Sequence, residues 1–200
     1  MIRRDARDVV LKESKVEADD GGDFYGAFWS DAKKFVLKGL SLKQQVKARI
    51  AASKAKRKLY PVLLEGFSRW YGAYHGAGDP ARRLELSGAF GRCSSLAEAG
   101  AVRVHNLLAW KEDDCRHLVY GYFDKEYALT PRAARLGLWA MASALSDHRL
   151  SDMAILDVMR GQVYDNDNCP LAGNEEEILS ERYQRILSEW ETQKRLLRAR

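Results

Sequence analysis

The hydrophobic residues of this chain follow one period up to Gly76-Ala77-Gly78-Asp79-Pro80 and another beyond it. No other feature constrains the fold as much, because a repeat of about 3.6 residues suits one face of a helix and a two-residue alternation suits a half-buried strand. Ahead of the break, Asp23 can cap a helix that carries Phe24, Phe28, Trp29, Phe35 and Val36 and closes at Gly39. Ser41-Leu42-Lys43-Gln44 reads as a capping box, with Leu42, Val46 and Ile50 on one face of the helix it opens. Pro61 is expected to kink or restart that helix. Residues 62–74 continue it and turn Leu63, Leu64, Phe67, Trp70 and Tyr71 toward a core.

Beyond the break the signals are those of strands. Residues 83–86 suit a short strand, and 101–110 and 116–123 are runs of β-branched and aromatic residues on either side of a turn at 111–114. They predict a β-hairpin. Thr130-Pro131 starts a helix expected to run to Leu145, with Thr as cap and Pro at the first position. Within 153–163, Ile155-Leu156-Asp157-Val158 favours another strand. A last helix, capped by Asn174, has a stripe of Leu179, Tyr183, Ile186, Leu187 and Trp190. The expected fold class is α+β (mixed α/β): a small sheet built on a β-hairpin with flanking helices, preceded by a basic helical N-terminal region. Three parts follow: a flexible polar arm at 1–22, a basic helical region at 23–75 and an α/β core at 80–200. Trp29, Trp110, Trp139 and Trp190 are expected in the core.

Charge is spread unevenly over these parts. The chain carries a net charge of +5, and residues 32–64 hold ten basic residues and no acid. On the second helix Lys43, Lys47, Lys54 and Lys58 make a stripe beside the apolar face, flanked by Arg49, Lys56 and Arg57. Such a stripe suits a phosphate backbone, because each neutralised phosphate releases counterions. Tyr60, Trp70, Tyr71 and Tyr74 would add stacking if exposed. The competing reading is a solvated helix face neutralised by acids elsewhere in the fold. DNA or RNA is the first expected partner and an acidic protein the second.

Other classes find no support. No apolar run reaches the length a membrane span needs, and the N-terminal residues lack the apolar stretch of a signal peptide, so the expected address is the cytoplasm and no membrane partner is expected. Cys93, Cys115 and Cys169 stand far apart, without a C-x-x-C pair. The four histidines show no metal-ligand spacing, and no phosphate-binding, dinucleotide-binding or nucleophile-elbow motif occurs. No cofactor, metal site or catalytic residue is therefore assigned. Arg103, His105, Asn106 and Tyr120 could share a polar pocket for phosphate or a small acid at the hairpin. Asp113, Asp114, Asp124 and Glu126 read as turn-solubilising acids rather than metal ligands, and Asp165-Asn166-Asp167-Asn168 as a turn rather than a calcium loop.

From Val102 to Trp190 the chain resembles the restriction-endonuclease-like (PD-(D/E)XK) fold, and more closely a group of small uncharacterised bacterial proteins with that topology. The resemblance is carried by the strands Val102-Arg103-Val104-His105-Asn106-Leu107-Leu108 and Leu118-Val119-Tyr120-Gly121-Tyr122-Phe123-Asp124-Lys125. The helix from Pro131, Ile155-Leu156-Asp157-Val158 and the terminal helix complete it. It implies an acid on one strand and a D/E-x-K on the next, which together hold Mg²⁺ and a lysine beside a scissile phosphate. Those places fall near Asn106 and Tyr120, where an amide and a phenol stand. The strict matches, Glu13-Ser14-Lys15 and Asp31-Ala32-Lys33, lie outside the strands. The resemblance thus implies a non-catalytic relative, a nucleic-acid-associated or assembly subunit. Its rivals are a metal-dependent nuclease with relocated acids (Asp157, Asp124 or Glu126) and an adaptor that docks an acidic partner.

Overall fold

The computed structural model describes residues 24–75, 84–86, 91–93 and 102–198; the polar arm at 1–22 lies outside them. Three helices come first: α1 (Phe24–Lys38), α2 (Leu42–Ala52) and α3 (Leu59–His75). Gly39 leaves α1 with φ 67°, and the Ser41 hydroxyl accepts the Gln44 amide at 3.3 Å to open α2. The second helix stops sooner than its periodicity predicts. Ser53 is extended, Lys54–Lys56 form a single 3₁₀ turn, and α3 begins at Leu59. The physical reason is Pro61, which has no N–H and whose ring would clash inside a continuous helix. Restarting at Leu59 places it in a first turn, where no intrahelical donor is required.

The strands are β1 (Leu84–Glu85), β2 (Gly91–Cys93), β3 (Val102–Val104), β4 (Leu108–Glu112), β5 (Cys115–Tyr122), β6 (Met153–Asp157) and β7 (Gln162–Asp165). Five of them make a mixed sheet in the order β1-β4-β5-β6-β7, and β2 and β3 make a separate antiparallel pair. All neighbours in the large sheet run antiparallel except β5 and β6. Parallel neighbours need a crossover, and α4 (Pro131–Ala144) supplies it, capped by Thr130, whose hydroxyl accepts the Ala133 amide. The last helix, α5 (Glu175–Arg198), packs on α4. The class is α+β, as expected.

The hairpin also departs from the sequence reading in two details. The expected strand 101–110 is two strands, because the chain leaves extended geometry at 105–107 and Asn106 takes φ 62°, a left-handed conformation that asparagine tolerates. The hairpin turn is also tighter: Glu112 pairs with Cys115, so only Asp113 and Asp114 form the loop, with Asp113 at φ 52°.

Strand alternation divides the core into two layers. Leu108, Trp110, Val119, Ala154 and Leu156 face α1–α3 and join Phe28, Trp29, Leu63 and Phe67 in one cluster. Ala109, Leu118, Met153 and Ile155 face the other way and pack on Ala134, Leu138 and Met141 of α4. The basic helices at 24–75 therefore cover one face of the sheet and share its core. Trp29 and Trp110 are fully buried, whereas Trp139 and Trp190 are half-buried. Among the described residues no helix is long and apolar enough to cross a membrane.

Candidate functional site

The basic surface comes from the way α2 packs. Leu42 and Val46 are buried and Ile50 half-buried, which leaves Lys43 and Lys47 on the exposed side. Lys54, Arg57 and Lys58 are exposed too, on the 3₁₀ turn and the link to α3. The interruption at Ser53 means that these cations do not continue the stripe of Lys43 and Lys47 along one helix; they follow it around a corner. None of the five makes an ion pair with an acid among the described residues.

Arg49 is different. It donates through Nε and Nη2 to the two carboxylate oxygens of Asp31, at 2.8 and 3.1 Å, and Lys34 approaches the same carboxylate at 3.3 Å. Asp31 is 2% exposed. Burial disfavours its charge, but the hydrogen bonds from Arg49 and Lys34 outweigh that and hold its pKa below the usual carboxylate range. Lys56 is half-buried, its ammonium over the rings of Phe24 and Tyr60. Tyr60, Trp70 and Tyr71 are buried in the core, so of the four aromatics considered for base stacking only Tyr74 is exposed.

A second feature lies where β4 parts from β5. The register of this pair starts at Leu108 opposite Val119, so Tyr120, Gly121 and Tyr122 are paired only with β6. Into the gap fall Arg103, His105, Asn106 and Tyr120, which line one cavity of about 180 Å³ with Tyr25 and Trp29 of α1. Asn106 is held at both ends: the Trp29 indole N–H donates to its carbonyl at 2.7 Å and Lys33 Nζ to its side-chain oxygen at 2.8 Å. With its oxygen engaged by Lys33, the Asn106 amide has its NH₂ left to offer a ligand. Burial pushes the Lys33 ammonium below the usual lysine range, and Glu85 offsets only part of that. Among the described residues, none that lines the cavity carries a carboxylate.

Sequence reasoning brought the four hairpin residues together but missed Lys33 and Trp29. Asp31-Ala32-Lys33 is visible as a motif, yet nothing in its spacing says that Lys33 reaches a residue 73 positions away.

Two of the three acids considered for a relocated nuclease centre, Asp157 and Asp124, have their carboxylates engaged in structure. Asp157, 1% exposed, accepts the Leu129 amide at 3.0 Å and pairs with Arg160 at 3.1 Å. Arg160 also donates to the carbonyls of Asp124 and Lys125, and Asp124 Oδ1 accepts the amides of Glu126 and Tyr127. Together they fasten the loop that leads from β5 to α4. Among the described residues no three His, Cys, Asp or Glu side chains converge as metal ligands would. No family model matches this chain, and no curated protein or solved structure matches it either.

Proposed function

We propose that this chain is a non-catalytic, nuclease-like subunit that associates with nucleic acid through the cations at 43–58. One observation carries the reading: Lys43, Lys47, Lys54, Arg57 and Lys58 are all exposed, and none is neutralised by an acid of the described fold. An unneutralised cluster of one sign attracts polyanions. Besides its lysines, the exposed side of α2 presents Gln44, Ala48, Ala51 and Ala52, with no large apolar side chain. That composition suits phosphate contacts better than a protein interface, whose centre is apolar.

The nuclease-like part of the reading is supported by the order hairpin, crossover helix, parallel strand in β4, β5, α4 and β6. Its non-catalytic part is supported by Asn106 and Tyr120, which line one cavity where the resemblance calls for an acid and a lysine.

Anisotropy titrations of labelled duplex and single-stranded DNA and RNA across a salt series test the reading. Affinity should fall with a log–log slope of roughly −0.9 per duplex phosphate neutralised, and about −0.7 for a single strand. An absence of binding at low salt would overturn it and leave the acidic protein partner in front. Cleavage of the same oligonucleotides in Mn²⁺ would overturn the non-catalytic part alone.

A further inference from the structure

On the α4 side of the sheet, opposite the side that carries Trp29, lies a second cavity of about 340 Å³, between β3, α4 and the sheet. Its walls are largely apolar, including Val104, Leu129, Met141 and Ile155, and Gly137 opens its floor. A Cβ at Gly137 would meet Ile155 Cδ1 at 2.5 Å, so the close packing of α4 on the sheet at this point depends on the missing side chain. Arg103 and Tyr120 line both cavities. A void of a few hundred cubic ångströms with a few convergent donors at one end has the form of a small-molecule site.

The chemistry of the two ends differs sharply. At the polar end the side chains offer donors: the Arg103 guanidinium, the Asn106 amide, the His105 imidazole and the Tyr120 hydroxyl. Arg103, His105 and Tyr120 have no hydrogen-bond or ion-pair partner among the described residues. Lys33 adds positive charge behind Asn106. At the other end the described lining residues carry no charge except the shared Arg103, and a wholly polar ligand would leave that surface dry and uncontacted.

We propose that the two cavities form one binding site for an amphipathic monoanion, a medium-chain organic acid. Its carboxylate would lie on Arg103 and Asn106 and its hydrocarbon body against Leu129, Met141 and Ile155. Arg103 is suited to the head because its planar fork matches a carboxylate's two oxygens. Tyr120, which lines both cavities, takes the junction between head and body.

Calorimetric titration of the full chain with octanoate, butyrate, 1-octanol and inorganic phosphate tests this. Octanoate should bind at one per chain. Each methylene added from butyrate upward should tighten binding about fourfold, the equivalent of ~0.8 kcal/mol per buried CH₂. Octanol and phosphate should each bind at least tenfold more weakly than octanoate. The Arg103→Gln variant should lose tenfold or more for octanoate, and Ala140→Leu, which fills the apolar cavity, should abolish the dependence on chain length. Should Ala140→Leu fail to fold, Ala133→Leu, at a half-buried position lining the same cavity, serves in its place. Equal affinity for butyrate and octanoate would overturn the apolar half of the site, and equal affinity for octanol and octanoate the anionic half. No heat of binding with octanoate would overturn the whole.

Discussion

Asp31 stands one residue ahead of the acid-free run, and its buried carboxylate takes Arg49 out of the population of surface cations. Composition shows the excess of bases around it, but the pairing spans 18 positions across two helices and leaves no trace in spacing. Removing one partner of such a pair leaves the other uncompensated, which costs 3–5 kcal/mol when both are fully buried. Arg49 keeps about a third of its surface exposed, so Asp31→Asn should cost less, about 2 kcal/mol, read from urea unfolding near pH 7. The same residue gives the stability a pH dependence. Its folded pKa lies below the unfolded value of about 3.9. Its contribution is thus complete above that value and is lost as pH falls through the folded pKa. Glu175, also buried and held below the usual range, acts in the same direction. Burial there is outweighed by the amides of Ala172 and Gly173 and by the charge of Arg135. Stability should therefore decline below about pH 4 in the wild type, and decline less steeply there in Asp31→Asn.

Elements whose local chemistry agrees with their surroundings could be read directly. The Ser41 cap of α2, which forms the forward half of the expected capping box, the Thr130-Pro131 start of α4 and the β4–β5 hairpin are of this kind. Breaks set by tertiary demands were less legible. The end of α2 at Ser53 answers Pro61, eight residues downstream, and the division of β3 from β4 turns on the left-handed Asn106. Gly66 is a further case. In sequence it is a weak spot in α3, where alanine should gain about 1 kcal/mol of helix propensity. In the fold, a Cβ at Gly66 would lie 2.1 Å from the Val158 carbonyl oxygen. Gly161, at φ 63°, approaches the Gly66 carbonyl from the same β6–β7 turn. Backbone meets backbone here, so no side chain can move aside. Gly66→Ala should consequently destabilise the protein by about 2 kcal/mol or more, opposite in sign to its propensity. Thermal unfolding followed by circular dichroism checks the sign.

At the scale of the whole molecule, the break at 76–80 marks a change of secondary structure, while the hydrophobic core spans it. The sheet face with Leu108, Trp110, Val119 and Leu156 is closed by α1–α3. A fragment of residues 80–200 should accordingly expose that face and aggregate or bind a hydrophobic dye, which light scattering and dye fluorescence would show. The basic helices thus have an inner side fixed by folding and an outer side that folding leaves free. Of the candidate binding residues, Lys43, Lys47, Lys54, Arg57 and Lys58 are on the outer side, and Arg49 is engaged between the helices.

This separation makes the outer side testable without disturbing the inner one. Changing Lys43, Lys47, Lys54 and Lys58 to glutamine removes four of the net five positive charges. The four side chains are exposed and without ion pairs among the described residues. Each exchange should therefore alter stability by no more than about 0.5 kcal/mol, and relief of like-charge repulsion favours the variant. If the lysines contact phosphates, the variant should bind duplex DNA more weakly at every sequence tried, with the salt slope flattened by roughly three units. An unchanged melting curve with lost binding and a flattened slope would assign the contact to these lysines. Retained binding with an unchanged slope would remove them from the interface and direct attention to other cations of the chain.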